Sequence, residues 1–377
     1  LMRRWTPPPA AAIAGFFFAF SLQRLLALPH LHMLGVFYFP LVILFTERWL
    51  DRPRPREAIG LALSLALQML SSIYLASALF LTSAPYLALA LWRRRERLDR
   101  VRLAGLVLAL AAALAPFLAA SLPYLELQRL GLIRDYAEGT APMGLSAMNA
   151  SAPYTYYLAG RGVGPVGYLL AVLALLPPWR RERGWPVLLG AVIALSGFVF
   201  AHGPYLIVGG VSLWTPYGLL MDWLPGFSTI RAPQRFVVIL HFGLCLLAGL
   251  GFDRLLGALL VRRRGAAAKP SRHSRFGPAP SWACVALAAF AAILSFRPLP
   301  ALPLHPIPAG ERVPPAYRWL ARHGDGRALV ELPVGRGGFE VTARRMYLSS
   351  SHWLPIVEGY SGYRPSTMFF LQQIANR

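Results

Sequence analysis

Residues 58–92 read AIGLALSLALQMLSSIYLASALFLTSAPYLALALW, 35 positions without a formal charge. As a single helix this run would be about 52 Å long at ~1.5 Å per residue, against a hydrocarbon core of ~30 Å. It therefore predicts two helices with a turn near Ser71 and Ser72. Arginine-rich segments flank it on both sides, ERWLDRPRPRE at 47–57 and RRRERLDRVR at 93–102. A hairpin returns the chain to the side it came from, so both flanks lie on one side, and Lys and Arg mark that side as cytoplasmic.

The same pattern extends outward. Of the 377 residues 56% are apolar and 14% charged, and mean hydropathy is +0.48, with the apolar residues standing in long uncharged blocks rather than amphipathic stripes. That is the composition of a polytopic membrane protein. Further blocks run over Pro9 to Leu22, Met33 to Phe45, Leu103 to Ser121, Val166 to Leu176, Trp185 to Phe200, Phe236 to Phe252 and Trp282 to Ser295, which with the hairpin makes about nine spans. Several fall short of the ~20 residues a straight span needs, which predicts tilted, broken or re-entrant helices.

Charge orients the path. Lys and Arg number 2 at Arg3 and Arg4, 4 in ERWLDRPRPRE, 6 in RRRERLDRVR, 3 in RRER at 180–183 and 7 from Arg254 to Arg275. On a nine-span path all five segments fall on the cytoplasmic side. The formal charge of +22 would point to nucleic acid in a soluble chain, but here it is a topology signal, and the bilayer is the expected partner rather than nucleic acid. Cys245 and Cys284 both sit in apolar blocks, with no disulfide framework or CxxC metal motif.

The opposite face receives QRLLALPHLH, residues 122–165, residues 202–235 and everything after Phe296. The last part turns Pro-rich, then shows a helix pattern, a Gly break and the strand-like ALVELPV at 328–334. The expected fold is thus an all-α polytopic membrane bundle over residues 1–297, followed by a small extracytoplasmic α/β domain over residues 298–377. About 80 residues are few for a closed core, so that domain is expected to be truncated. The start at Leu1, directly before an apolar block, likewise predicts upstream sequence.

Three blocks carry a family resemblance: GFFFAFSLQRLLALPHLHMLGVFYFPLVILFTERWL at 15–50, LPGFSTIRAPQRFVVILHFGLCLLAGLGF at 224–252 and ARRMYLSSSHWLPIVEGYSGYRP at 343–365. Together they resemble the bacterial GT-C-class multispanning membrane glycosyltransferases, of the YfhO-like and mannosyltransferase-like kind. The resemblance implies transfer of a sugar from a polyprenyl-phosphate-linked donor to an envelope glycan, lipid or protein acceptor on the extracytoplasmic side of the inner membrane. It also implies a catalytic acid in a first outer loop, upstream of the block where this chain begins, so no residue here is assigned that role. The other reading is a non-catalytic scaffold, or a transporter or flippase, for envelope polysaccharide.

Arg231 and Arg235 stand on the outer side, where topology does not favour arginine, and Pro233 between them suits the first turn of the helix that follows. Two guanidinium groups and free backbone N–H groups at that end make a candidate site for the donor phosphate. The alternative is snorkelling to lipid phosphates or pairing with Asp222. His30 and His32, near Arg24, form an HxH pair that is a weak candidate for the divalent metal that GT-C enzymes often use. The alternative is a pair of interfacial histidines bonded locally. Glu358 and Tyr360, beside glycines in IVEGYSGY, are candidate acceptor or carbohydrate contacts, with turn chemistry as the alternative. Asp135 and Glu138 are candidate acid/base groups or solvated charges, and Tyr154, Tyr156 and Tyr157 candidate sugar-stacking or anchoring aromatics. Asp253 is expected to pair with its neighbour Arg254, and His202 and His241 to face the interior.

Overall fold

The computed structural model describes residues 1–21, 24, 31–130, 162–177, 183–208, 211–223, 227, 230, 233–264, 278–295, 306–334, 338–359, 370–371 and 373–374. The chain divides into two compact units, one of Leu1–Ser121 with Tyr136–Pro300 and one of Leu122–Asp135 with Ala301–Arg377.

The described part is mostly helical. In the first unit α1 (Pro8–Phe20), α2 (Phe39–Asp51), α3 (Pro55–Ser71) and α4 (Ile73–Arg93) are followed by α5 (Arg100–Arg129), whose last residues belong to the second unit. Next come α6 (Gly164–Leu175), α7 (Gly184–Ala201), strands β1 (Tyr205–Val208) and β2 (Val211–Trp214), α8 (Pro216–Trp223), α9 (Val237–Arg264) and α10 (Pro278–Ser295). Proline occupies the first turn of α1, α2, α3 and α6, where its missing N–H costs nothing.

The 35-residue apolar run breaks at Ser72, as its length demands. Ser72 is extended (φ −169°, ψ 124°), and its Oγ accepts the Leu75 N–H at 3.3 Å, capping α4. Among the described residues four helices are long and apolar enough to cross a membrane: Tyr74–Arg93, Arg100–Pro123, Gly184–Ala201 and Pro233–Leu259. Three other apolar helices, Pro8–Phe20, Gly164–Leu175 and Trp282–Ala291, are shorter.

Burial singles out α9. In its most apolar window 94% of residues are buried, against 17% in α5, so α9 is the axis and α5 the periphery. It packs against α7, α6 and α1. Lipid tails are as apolar as leucine, so helices in a bilayer associate where backbones approach closely, at small residues. A Cβ on Gly197 would lie 2.0 Å from the Leu240 nitrogen, and one on Gly243 would lie 2.4 Å from the Ala194 nitrogen. On the α6 side a Cβ on Gly251 would meet the Leu170 carbonyl oxygen at 1.7 Å. Phe17, Phe39, Ile193, Ile239 and Phe242 fill the space around these contacts.

The helices sort the polar residues to two ends. Near the start of α9 lie Ser21, Tyr74 and Arg235, with Gly35 against Ser71. The other end collects Arg4, Asp51, Arg94, Arg183 and Asp253, contributed by four of the five basic segments and α9 itself. One pairing differs from expectation. Asp253 binds Arg183 at 2.6 Å, not Arg254, because successive helical residues point about 100° apart and do not face each other. Arg254 instead donates to the carbonyl oxygens of Leu176 and Pro177.

The antiparallel hairpin of β1 and β2, with Tyr205 opposite Trp214 and Val208 opposite Val211, lies in what the sequence suggested was loop. In the second unit the described residues form α11 (Pro315–His323), α12 (Gly338–Ser349) and one isolated parallel bridge between Leu329 and Ile356. The strand-like ALVELPV makes that bridge rather than a strand; Pro333 has no N–H to continue a ladder.

Gly197→Val or Gly243→Val should lower the unfolding temperature in detergent sharply, since the obstructing atoms are backbone and cannot rotate away. Gly15→Ala, where a Cβ meets nothing within 4 Å, should leave it unchanged or raise it slightly. Thermal melts of the three variants check this.

Candidate anion site at the head of the central helix

Pro233–Phe236 form a 3-10 turn that runs into α9, so Pro233 does stand at the helix entrance. The turn carries Arg235, whose guanidinium carbon lies 4.8 Å from the centroid of the Tyr74 ring at the start of α4. Its Nη1 is 3.5 Å from His32 Nε2, and the His32 and Tyr74 rings are 6.2 Å apart. Three residues separated by up to 203 positions thus form one cluster, and no carboxylate pairs with Arg235 among the described residues. A ring face holds a guanidinium without consuming its N–H donors, so stacking on Tyr74 orients Arg235 while leaving its fork available.

Arg24 lies in the same region but is committed to structure. It donates to the carbonyl oxygens of Leu34 at 2.7 Å and Met33 at 3.3 Å and lies over Phe18 at 5.9 Å. Beneath it Ser21 Oγ and Cys245 Sγ stand 3.0 and 3.4 Å from His241 Nε2. His241 is buried, as is His202, whose ring meets Phe198 edge-on at 4.9 Å. Both face the interior as their positions implied.

The remaining candidates separate. His30, Arg231, Tyr360, Asp135, Glu138, Tyr154, Tyr156 and Tyr157 lie outside the described residues, and Asp222 lies on α8. The structure thus joins His32 to Arg235, which along the sequence belong to separate candidate sites, one for metal and one for phosphate. Among the described residues no group of three His, Cys, Asp or Glu side chains could hold a metal ion. Glu358 is buried within the second unit: Arg345 reaches it at 2.7 Å and Thr342 at 3.4 Å. Arg345 also contacts Glu331 at 3.4 Å and donates to the carbonyls of Pro333 and Leu332. Tyr317 donates to Glu331 at 2.6 Å and stacks on His352; burial first, then that hydrogen bond, push its phenol up to about 12. The Glu358 carboxylate therefore ties this unit together.

At the far end of the bundle a buried ion pair went unread in the sequence, where its members counted only as flanking charge. Glu47 is 2% exposed and receives Arg94 Nη2 at 2.7 Å and the Tyr86 hydroxyl at 3.0 Å. Arg94 also reaches Asp51 at 3.0 Å, and Asp51 takes Arg4 at 2.5 Å. The spacing Glu47, Asp51 (i, i+4) on one helix was the available signal.

Removing one member of a buried pair leaves a charge without a partner, a cost of about 3 to 5 kcal/mol, whereas replacing both is often near neutral. Glu47→Gln and Arg94→Met should each lower the unfolding temperature strongly, and the double variant should recover much of the loss. A double-mutant cycle from thermal melts in detergent measures it.

Compared with known proteins, no family model matches the chain, and no curated protein or solved structure matches it.

Proposed function

We propose that this chain is a multispanning membrane protein of the glycosyltransferase type, which binds a polyprenyl-phosphate-linked sugar and passes the sugar to an envelope glycan, lipid or protein acceptor outside the inner membrane. The observation that carries the reading is Arg235. It sits at the head of α9, the most buried of the four long apolar helices among the described residues, stacked on Tyr74 and beside His32, with no carboxylate partner among the described residues. A lipid-linked phosphate brings the complementary partner, an anionic head with oxygens for the guanidinium fork and a tail that stays in the bilayer.

The orientation belongs to the same proposal. The end holding Arg4, Asp51, Arg94 and Arg183 is cytoplasmic, and the end holding Ser72 and Arg235 faces outward, along with residues 298–377. The separation of these residues to opposite ends of the bundle supports this reading, because arginine-rich connections remain cytoplasmic. On the nine-span path the short helices α1, α2 and α6 cross as tilted or broken segments. The catalytic acid is not assigned to any residue, and a divalent metal has only the pair His30 and His32 as candidate ligands.

Arg235→Ala should weaken binding of a polyprenyl-phosphate sugar about ten- to hundredfold, the equivalent of one charged hydrogen bond of roughly 1.5 to 3 kcal/mol. Arg235→Lys should fall between, since it keeps charge and loses the fork. Binding to the detergent-purified chain is the measurement, with unfolding temperature as the folding control; unchanged affinity in both variants rejects the site. For orientation, a reporter inserted at Ser72 should be exported, and a cysteine placed at Ala266 should resist a membrane-impermeant label in intact cells.

A further inference from the structure

The end of the bundle opposite Arg235 contains a cleft of roughly 610 Å³ whose lining includes Glu47, Asp51, Arg93, Arg94, Arg97 and Trp185. Four sequence-distant segments build it: the first turn of the chain, the end of α2, the turn after α4 and the start of α7. Its charges divide into two sets with different duties. Glu47 and Asp51 are neutralised by Arg94 and Arg4 within 3.0 Å, so this floor is electrically closed. Arg93 and Arg97 are exposed and have neither an ion pair nor a side-chain hydrogen bond among the described residues, leaving two cations in a cleft where Glu96 is the one acid not taken up by the floor.

Arg93 is held in place all the same. Its guanidinium carbon lies 4.6 Å from the centroid of the Trp185 ring, a stacking that fixes the plane of the fork and leaves its N–H groups unspent. An oriented guanidinium at Arg93, a second exposed arginine in the same lining and a volume in the ~300 to 1,000 Å³ range of small-molecule sites call for an anion with several acceptor oxygens. A carboxylate would duplicate what the floor already holds. Tetrahedral phosphate offers oxygens in more than one plane and suits two arginines on neighbouring turns. A cleft rimmed by arginine and tryptophan at the end of a helix bundle is also where phospholipid headgroups lie.

We propose that this cleft binds a phosphate-bearing anion, either a phospholipid headgroup or a free phosphate compound, held by Arg93 and Arg97 above the Glu47–Arg94–Asp51 floor. The site is independent of Arg235, which lies at the other end of α9, so the sugar-donor reading and this one stand or fall on different variants.

The test titrates the 377-residue chain, purified in neutral detergent, with dihexanoyl phosphatidylglycerol, dihexanoyl phosphatidylcholine and inorganic phosphate, reading heat of binding and unfolding temperature. Phosphatidylglycerol should bind and stabilise, and phosphatidylcholine should do so far more weakly. Arg93→Ala with Arg97→Ala should weaken the anionic lipid by at least about tenfold, the loss of one charged hydrogen bond or more, with Arg93→Lys recovering part of it. Arg95→Ala should have no effect, because Arg95 packs over Trp92 and is not part of the cleft lining. Inorganic phosphate binding as tightly as the lipid would assign the cleft to a free phosphate compound; much weaker competition would assign it to the headgroup. Equal binding of the two lipids with no binding of inorganic phosphate, or full affinity for all three probes in the double variant, would overturn the proposal. Because both arginines are exposed and outside the buried pair, the double variant should melt at the wild-type temperature, and Arg97→Ala alone serves as the milder second test.

Discussion

The contact on which the bundle depends is the one between the backbone of α9 and those of α7 and α6. At Gly197, Gly243 and Gly251 there is no room for even a methyl group, because the neighbouring atoms are main-chain nitrogen and oxygen. In a bilayer the apolar side chains of these helices gain little by leaving lipid for protein, so attraction comes from tight packing over a long contact. Glycine at the crossing points supplies it. Once α9 is fixed as the axis, its start and its later turns set where the two polar ends fall.

Those ends are built on different principles. At one end Glu47, Arg94 and the Tyr86 hydroxyl satisfy each other in a buried setting, with Asp51 and Arg4 at its exposed margin, an arrangement that is weak as a source of stability but strict about which helix faces which. A similar closed network, Glu358 with Arg345 and Glu331, ties the second unit. At the other end Arg235 is oriented by an aromatic ring and an imidazole instead of a carboxylate. A guanidinium paired with a carboxylate has little left to offer a ligand. One resting on a ring retains its donors, and Arg93 on Trp185 repeats the device above the closed floor.

The separation between what was legible and what was not follows the reach of each force. The break at Ser72 could be read because a 35-residue apolar run exceeds the thickness of a bilayer, a constraint of length alone, and because serine is a ready N-cap. The collection of basic segments at one end was readable from a count along the chain. Residues 205–214, YLIVGGVSLW, carried a hairpin signal in two apolar runs about a Gly-Gly pair, but it was masked by the expectation of a loop between two spans. The strand-like ALVELPV was misleading in the opposite sense, since four or five apolar residues do not make a strand without a neighbour able to complete its ladder.

By itself, then, the sequence determined the helical class and the division of the long run, because these depend on composition and length, which act locally. The tertiary structure decided which side chains meet. That Asp253 takes Arg183 and not Arg254, that His32 and Tyr74 come to Arg235, and that Arg94 fills the space between Glu47 and Asp51 are consequences of how each helix is rotated about its axis. Rotation is set by close packing at glycines on α7 and α9, and nothing in a one-dimensional pattern of apolar and charged residues specifies which neighbouring backbone each of those glycines will meet.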